Sequence, residues 1–337
     1  MADGTKIEWT SATWNVVNGC SVVSPGCTNC YAMRLAGTRM RSHPTRQGLT
    51  MPSKAGPVWT GEVRFVEQLL DQPLRWAKPR MIFVCAHGDL FHEAVPDEWI
   101  DRVFAVMALA PQHTFQCLTK RPARMRAYLA SKARVGDGDL CRAINRIPAH
   151  IGARPGILVL PLPNVWLGTS VEDQRRADER VPILLDTPAA VRWISAEPLL
   201  GPVDLARYLG DISLHCLHGH DNLGLLEHEI SYVQPPAASE VTALCPTCGA
   251  PAKAGRCSKL DWVVAGGESG PGARPFVLGW GKDLIRQCRE AAVPVFMKQV
   301  GAIPTNREGE RCPHIHDPKG GDPAEWPEDL RVREWPR

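Results

Sequence analysis

Met81-Ile-Phe-Val-Cys-Ala-His-Gly-Asp89 is a short apolar run that stops at polar residues, and Asp97-Glu-Trp-Ile-Asp-Arg-Val-Phe-Ala-Val-Met-Ala-Leu-Ala110 follows it. The first stretch is continuously apolar, as expected of a strand buried on both faces. The second sets Trp99, Ile100, Val103, Phe104 and Met107 on one face of a helix. A further apolar run over 114–118 then leads to Thr119, Lys120 and Arg121. Strand, helix and strand in this order predict a right-handed crossover and a parallel pair.

The same unit recurs along the chain. The run 12–17 leads to Asn18, Gly19 and Cys20, and the run 165–168 leads to Thr169, Ser170, Glu172 and Asp173. The run 191–196 leads to Glu197 and Pro198, 262–265 to Gly266, Gly267, Glu268 and Ser269, and 294–297 to Lys298 and Gln299. Residues 173–186 and 280–292 read as amphipathic helices between them. Seven such strands predict an α/β fold, a complete or partly open (β/α) barrel, with a doubly wound open sheet as the competitor. A barrel carries its chemistry at the carboxyl ends of the strands, so the seven polar ends predict one shared pocket. Two long stretches interrupt the pattern, 129–162 and 211–260. The expected organisation is a first barrel part over 1–210, an inserted unit over 211–260, and the last barrel part with a tail over 261–337.

Composition bounds the surroundings. The net charge of +3 neither demands nor excludes nucleic acid. No apolar run is long enough to cross a bilayer, so no membrane partner is expected. The first residues lead into a polar stretch rather than the apolar core of a signal peptide. Twelve cysteines in 337 residues, grouped in clusters, do not make a secreted disulfide scaffold. A monomer in a reducing cytoplasm is expected.

Cys20, Cys27 and Cys30 are spaced by six and two residues and followed at once by Tyr31. Three thiolates are one short of a tetrahedral zinc site. They are the right number to hold three irons of a 4Fe–4S cluster and leave the fourth iron open to a small molecule. Structural zinc with a distant fourth ligand is the competing reading.

Four stretches together resemble the phage-associated three-cysteine-motif proteins. They are Cys20-Ser-Val-Val-Ser-Pro-Gly-Cys27-Thr-Asn-Cys30-Tyr31-Ala32, His87-Gly-Asp-Leu-Phe-His92-Glu93, Gly266-Gly-Glu-Ser-Gly-Pro-Gly-Ala-Arg274-Pro275 and Lys319-Gly-Gly-Asp-Pro-Ala-Glu-Trp-Pro-Glu-Asp-Leu330. The family looks like an outlying branch of the radical S-adenosylmethionine superfamily. The superfamily's usual cysteine spacing is three then two, and it usually has an aromatic residue where this chain has Asn29; here Tyr31 follows the last cysteine instead. The resemblance implies that Cys20, Cys27 and Cys30 ligate a 4Fe–4S cluster whose free iron chelates S-adenosylmethionine. An electron from an external donor, passed through the cluster, would then give a 5′-deoxyadenosyl radical.

Gly266, Gly267 and Glu268 resemble the superfamily's glycine–glycine–glutamate segment, which contacts the methionine amino group. That segment normally follows the second strand, where this chain has Asp89, so Asp89 is the alternative partner of the ammonium. A tight turn at the strand end is the structural alternative for the glycines. Lys120 and Arg121 are candidates for a carboxylate or phosphate of cofactor or substrate. Ser170 and Glu172 are candidates for ribose hydroxyls, or for a cap on the next helix. Glu197 and Lys298 are read as a pair inside the barrel, structural or catalytic. His92 and Glu93 are read as the start of a helix, and Cys85, Cys117, Cys141 and Cys288 as core thiols.

The stretch 211–260 has its own metal signature, since Cys245-Pro-Thr-Cys248 has knuckle spacing. Cys216 and Cys257 complete the expected structural zinc site, with His218 and His220 as alternates and a second iron–sulfur cluster as the competing idea. Cys312, His314 and His316 form a weaker metal candidate. Arg34, Arg39, Arg41, Arg46, Lys54 and Arg64 gather early in the chain with His43 and Trp59. Such a run is either a solvated face or a grip on a phosphate backbone. The expected function is therefore a radical S-adenosylmethionine enzyme, with DNA or RNA as the favoured substrate class. The alternatives are a non-catalytic, zinc-stabilised nucleic-acid-binding or phage accessory protein, and an iron–sulfur electron carrier.

Overall fold

Seven strands pair in the order in which the chain makes them: β1 (Ala12–Trp14), β2 (Met81–Val84), β3 (Thr114–Thr119), β4 (Val165–Ser170), β5 (Val191–Ala196), β6 (Trp262–Gly266) and β7 (Val295–Gln299). This computed structural model describes residues 4–132, 138–147, 160–210, 213–216, 241–244, 251–255 and 259–336. Every neighbouring pair is parallel, from Ala12 beside Ile82 to Val263 beside Val295. A doubly wound sheet reverses its strand order at a switch point, and this one never does. The sheet is a half-barrel, which settles the choice left open by the periodicity.

Both faces of the sheet are buried, which is why its strands read as apolar runs. Ile82, Val84, Phe115, Cys117, Leu167, Ile194, Val263, Val295 and Met297 point to the helices and share one core with them. The helices are α1 (Tyr31–Gly37), α2 (Asp97–Leu109), α3 (Pro122–Lys132), α4 (Gly138–Arg146), α5 (Gln174–Leu185), α6 (Ala206–Leu209) and α7 (Leu278–Glu290). The alternate strand residues fill the concave face with aromatic rings: Phe83, Trp193, Trp262 and Phe296, joined by Trp9. Trp193 stands 5.3 Å from both Trp9 and Trp262, ring centre to ring centre. Gly168 makes this possible, since a Cβ there would lie 2.5 Å from the Trp193 indole. Thr119, Ser170, Ser195 and Lys298 lie toward the carboxyl ends of the strands, so the polar mouth opens there.

The expected elements are present with three differences. The first run is a strand only over Ala12–Trp14; Val17–Asn18 then turns to pair antiparallel with Arg64–Phe65. The stretch 129–162 carries helix α4, which packs on α2 and buries Leu140, Ala143 and Ile144. Its neighbouring glycines hid that periodicity. Cys141 is exposed on α4, whereas Cys85, Cys117 and Cys288 are buried as expected. Ser213–Cys216, Val241–Leu244 and Pro251–Gly255 form a separate three-stranded antiparallel sheet. Cys245, Cys248, Cys257, His218 and His220 lie outside the described residues, as does the Cys216 side chain, and so does the expected zinc site. No helix among the described residues is long and apolar enough to cross a membrane.

Candidate functional site

The loop after β1 runs across the mouth of the half-barrel and is fastened to four strand ends. At β3, Arg121 Nη2 donates to Ser21 Oγ at 2.6 Å, and Ser21 also lies 3.0 Å from His92 Nε2. At β4, Ser24 Oγ donates to the Glu172 carboxylate. At β6, Asn29 Nδ2 donates to Glu268 Oε2 at 3.0 Å and to the Gly272 carbonyl at 2.7 Å. At β2, the Tyr31 hydroxyl donates to the Ala86 carbonyl at 2.6 Å. Gly26 presses on the Glu172 side chain so closely that a Cβ would collide with it.

These fastenings hold the three cysteines together. Cys30 lies close enough to Cys20 and to Cys27 for the charged thiolates to repel one another. Burial pushes the Cys20 thiol up to about 12, with the Asp89 charge adding to it and the Arg121 guanidinium opposing. Burial also raises Cys30, while backbone N–H groups of Met33 and Ala32 donate to its sulfur. Arg121 Nη1 is 3.6 Å from Cys20 Sγ, and Ser24 Oγ is 3.8 Å from Cys27 Sγ. Ala32, Met33 and Ala36 of α1 form a small apolar cluster with Leu49 and Trp59, against which Cys20 and Cys30 pack.

Among the described residues, no group of three or more His, Cys, Asp or Glu side chains is arranged to hold a metal ion. Sulfurs about one ion all lie ~2.3 Å from it. Thiolates on different irons of a cluster stand farther apart. Cys20, Cys27 and Cys30 are neighbouring thiols of one loop, with Arg121 beside Cys20 and Ser24 beside Cys27, and thiols are the donor type that either group takes.

The other expected residues divide into two groups. Asp89 is buried and fully engaged: Thr119 Oγ1 at 2.8 Å, Phe91 N–H at 3.0 Å, Lys120 N–H at 3.3 Å and Arg121 Nη1 at 3.0 Å all reach its carboxylate. Its work is to aim Arg121 at Cys20 and Ser21. Glu172 is equally engaged, with Arg180 Nη1 at 2.8 Å and Lys120 Nζ at 3.5 Å besides Ser24. Burial opposes its ionisation, but Lys120 and Arg180 outweigh it and hold the carboxyl below its ordinary value. The cap of α5 is Asp173, which accepts from Arg176 N–H at 2.9 Å, rather than Ser170 or Glu172. Glu268 is bound by both Arg274 and Asn29. Gly267 stands where a Cβ would meet the Val300 carbonyl at 2.8 Å, so close strand packing requires this glycine.

Glu197 and Lys298 meet across the mouth at 2.9 Å. Of the four strand-end carboxylates Asp89, Glu172, Glu197 and Glu268, Glu197 alone has a single ionic partner and no other hydrogen bond among the described residues. Gly266 leaves room for it, since a Cβ there would lie 2.9 Å from Glu197 Oε1. Tyr31 joins the two halves of the site. The residue is 55% exposed, but its hydroxyl is turned inward, and burial together with the Cys30 and Glu197 charges raises its pKa. His92 and Glu93 lie in the turn before α2, which begins at Asp97, instead of starting a helix; Glu93 pairs with Arg121 and His92 bonds Ser21. Ser21, Ser24 and Asn29 carry no signal in the sequence, because each acts on a group far away in the chain; Arg180 reaches back only eight residues to Glu172, but among the arginines of the stretch 174–180 nothing marks it out.

The model of the family "Protein of unknown function (DUF5131)" matches residues 4–319, and the chain belongs to that family. No curated protein and no solved structure matches it.

Proposed function

We propose that this protein is a radical S-adenosylmethionine enzyme of the cytoplasm, with Cys20, Cys27 and Cys30 holding a 4Fe–4S cluster at the mouth of the half-barrel. The observation that carries the reading is the gathering of three thiols in a loop fastened to four strand ends, where a barrel does its chemistry. When bound, the cluster would supply the electron that splits S-adenosylmethionine into methionine and a 5′-deoxyadenosyl radical. Each of this chain's own groups has a part in that setting. Arg121, aimed by Asp89, neutralises part of the charge on the Cys20 sulfur. Lys120 and Glu172 order the loop around Cys27. Among the described residues, Glu197 and Lys298 have each other as side-chain partner, and each can exchange it for an ammonium or carboxylate of the ligand, or pass a proton. A structural zinc on Cys216, Cys245, Cys248 and Cys257 would fold the segment between β5 and β6. The substrate class we favour is nucleic acid, as a target of base modification or photoproduct repair.

The test is anaerobic reconstitution with iron and sulfide, then addition of S-adenosylmethionine and a strong reductant. Bound iron, acid-labile sulfide and 5′-deoxyadenosine are expected, and Cys27→Ala should lose all three. Zinc at the three cysteines, with no sulfide, would sink the enzyme and favour a zinc-stabilised nucleic-acid-binding protein. A cluster with no cleavage in the presence of candidate nucleic-acid substrates would point to electron transfer.

A further inference from the structure

The chain's positive charge is concentrated in one lobe beside the site. Residues 31–65 hold six cations, Arg34, Arg39, Arg41, Arg46, Lys54 and Arg64, and one acid, Glu62. This lobe therefore carries +5, and the rest of the chain carries −2 of the total of +3. It is built from α1 and a hairpin of Thr50–Ser53 with Gly56–Trp59, and its apolar cluster packs against Cys20 and Cys30. None of its six cations forms an ion pair with a carboxylate among the described residues, whereas most cations of α3, α5 and α7 do. Arg39, Arg41 and Lys54 are exposed.

Arg46 is the inner member. It is 5% exposed, and its hydrogen bonds go to neutral acceptors: Thr45 Oγ1 at 2.7 Å, the Thr45 carbonyl at 3.2 Å and His87 Nδ1 at 2.6 Å. The His87 ring lies 6.2 Å from the Tyr31 ring, which adjoins Cys30 and Glu197. A buried cation without a counter-charge is costly, and a ligand anion would relieve it. A guanidinium fits a phosphate in a fixed two-point geometry. Two of the five large apolar side chains that are exposed among the described residues, Tyr31 and Met51, belong to the lobe, and two more, Val22 and Val23, belong to the cysteine loop that precedes it. Tyr31 is the one aromatic among them, so the lobe offers exposed cations for a phosphodiester backbone and one exposed ring on which a base can stack, which suits a nucleic acid more than a bare anion.

We infer that the lobe 31–65 is a nucleic-acid-binding surface, with Arg39, Arg41 and Lys54 on the phosphodiester backbone and Arg46 receiving one phosphate at the edge of the mouth. The inference deepens the enzyme reading by giving its substrate a place to bind, but the binding itself needs no cluster.

The experiment uses the full metal-free chain and fluorescein-labelled 20-mers of duplex DNA, single-stranded DNA and RNA, followed by anisotropy. About four phosphate contacts on duplex DNA give a salt slope near −3.6, so affinity should fall about 150-fold between 50 and 200 mM salt. The Arg39→Glu/Arg41→Glu/Lys54→Glu variant should bind at least about 10-fold more weakly and flatten the slope by about three. Arg46→Gln should weaken binding with a smaller change of slope, and the charge-reversed variant tests the surface even if Arg46→Gln misfolds. The strongest of the three probes identifies the nucleic acid. No binding of any probe at 50 mM salt, equal binding by the charge-reversed variant, or equal affinity for poly-glutamate would overturn the inference. Cys27→Ala should bind like the unaltered chain, so loss of radical chemistry and loss of nucleic-acid binding are read separately.

Discussion

Arg121→Met tests how the cysteine loop is held. The Arg121 side chain is 4% exposed, and its Nη1 lies 3.0 Å from the carboxylate of Asp89, which is 5% exposed. Removing one partner of a buried pair strands the other charge and costs about 3–5 kcal/mol. Asp89 would keep the Thr119 hydroxyl at 2.8 Å and the N–H groups of Phe91 and Lys120 at 3.0 and 3.3 Å. Those donors place the expected loss at the lower end, about 3 kcal/mol. Asp89→Asn added to Arg121→Met removes the stranded charge, so the double variant should regain about 1–2 kcal/mol. Equilibrium urea unfolding of the metal-free chain, followed by tryptophan fluorescence, reads this directly, because Trp9, Trp193 and Trp262 form the floor of the half-barrel. A loss below about 1 kcal/mol, or a double variant no more stable than the single one, would refute the reasoning.

Three further outcomes are expected. Burial, and then the Arg46 charge, lowers the His87 pKa from 6.5 to about 4. The unfolded chain then binds more protons than the folded one between those values, so His87 favours folding above pH 6.5 and loses that effect as pH falls toward 4. Urea midpoints across this window should show a flatter pH dependence for His87→Gln; a slope equal to that of the unaltered chain would discount the shift. Gly168→Ala puts a methyl 2.5 Å from the Trp193 indole. It should cost about 1–3 kcal/mol through overpacking, seen as a lowered thermal midpoint, and an unchanged midpoint would mean that the aromatic floor is loosely packed. Glu172→Gln leaves Lys120 and Arg180 facing a neutral amide. It should destabilise the chain at neutral pH and remove part of its acid lability, because the lowered carboxyl pKa of Glu172 favours folding above its ordinary 4.5 and ceases to do so as pH falls below it. Matching acid-unfolding curves for the two chains would contradict this.

The strands were legible because burial on both faces leaves a local mark. A strand covered by helices on one side and aromatic rings on the other is apolar at most positions, with exceptions such as Gln116 and Arg192, and all seven such runs became strands of the main sheet. Helices α2, α5 and α7 were legible from their period, whereas α4 was not, because it is only nine residues long, opens on Gly138 and follows Gly136. The cysteine spacing marked the loop, and the residues after each run marked the mouth.

The sequence by itself determined that the chain is α/β, that its strands are parallel, and that thiols and charged groups collect at their carboxyl ends. These follow from residue type and spacing within a few turns of chain. Only the tertiary structure decided that the strand order never reverses, so that the seven ends surround one mouth. It also decided the pairings: Arg121 with Asp89 and Cys20, Ser24 with Glu172, Asn29 with Glu268, and Glu197 with Lys298. Asp89 and Glu172 thereby became supports, and Glu197 became the carboxylate with the fewest partners. The physical reason is that a charge's role depends on which opposite charges lie within a few ångströms of it, and several of those come from other strand ends: Arg121 lies 32 residues from Asp89, Lys120 52 from Glu172 and Lys298 101 from Glu197.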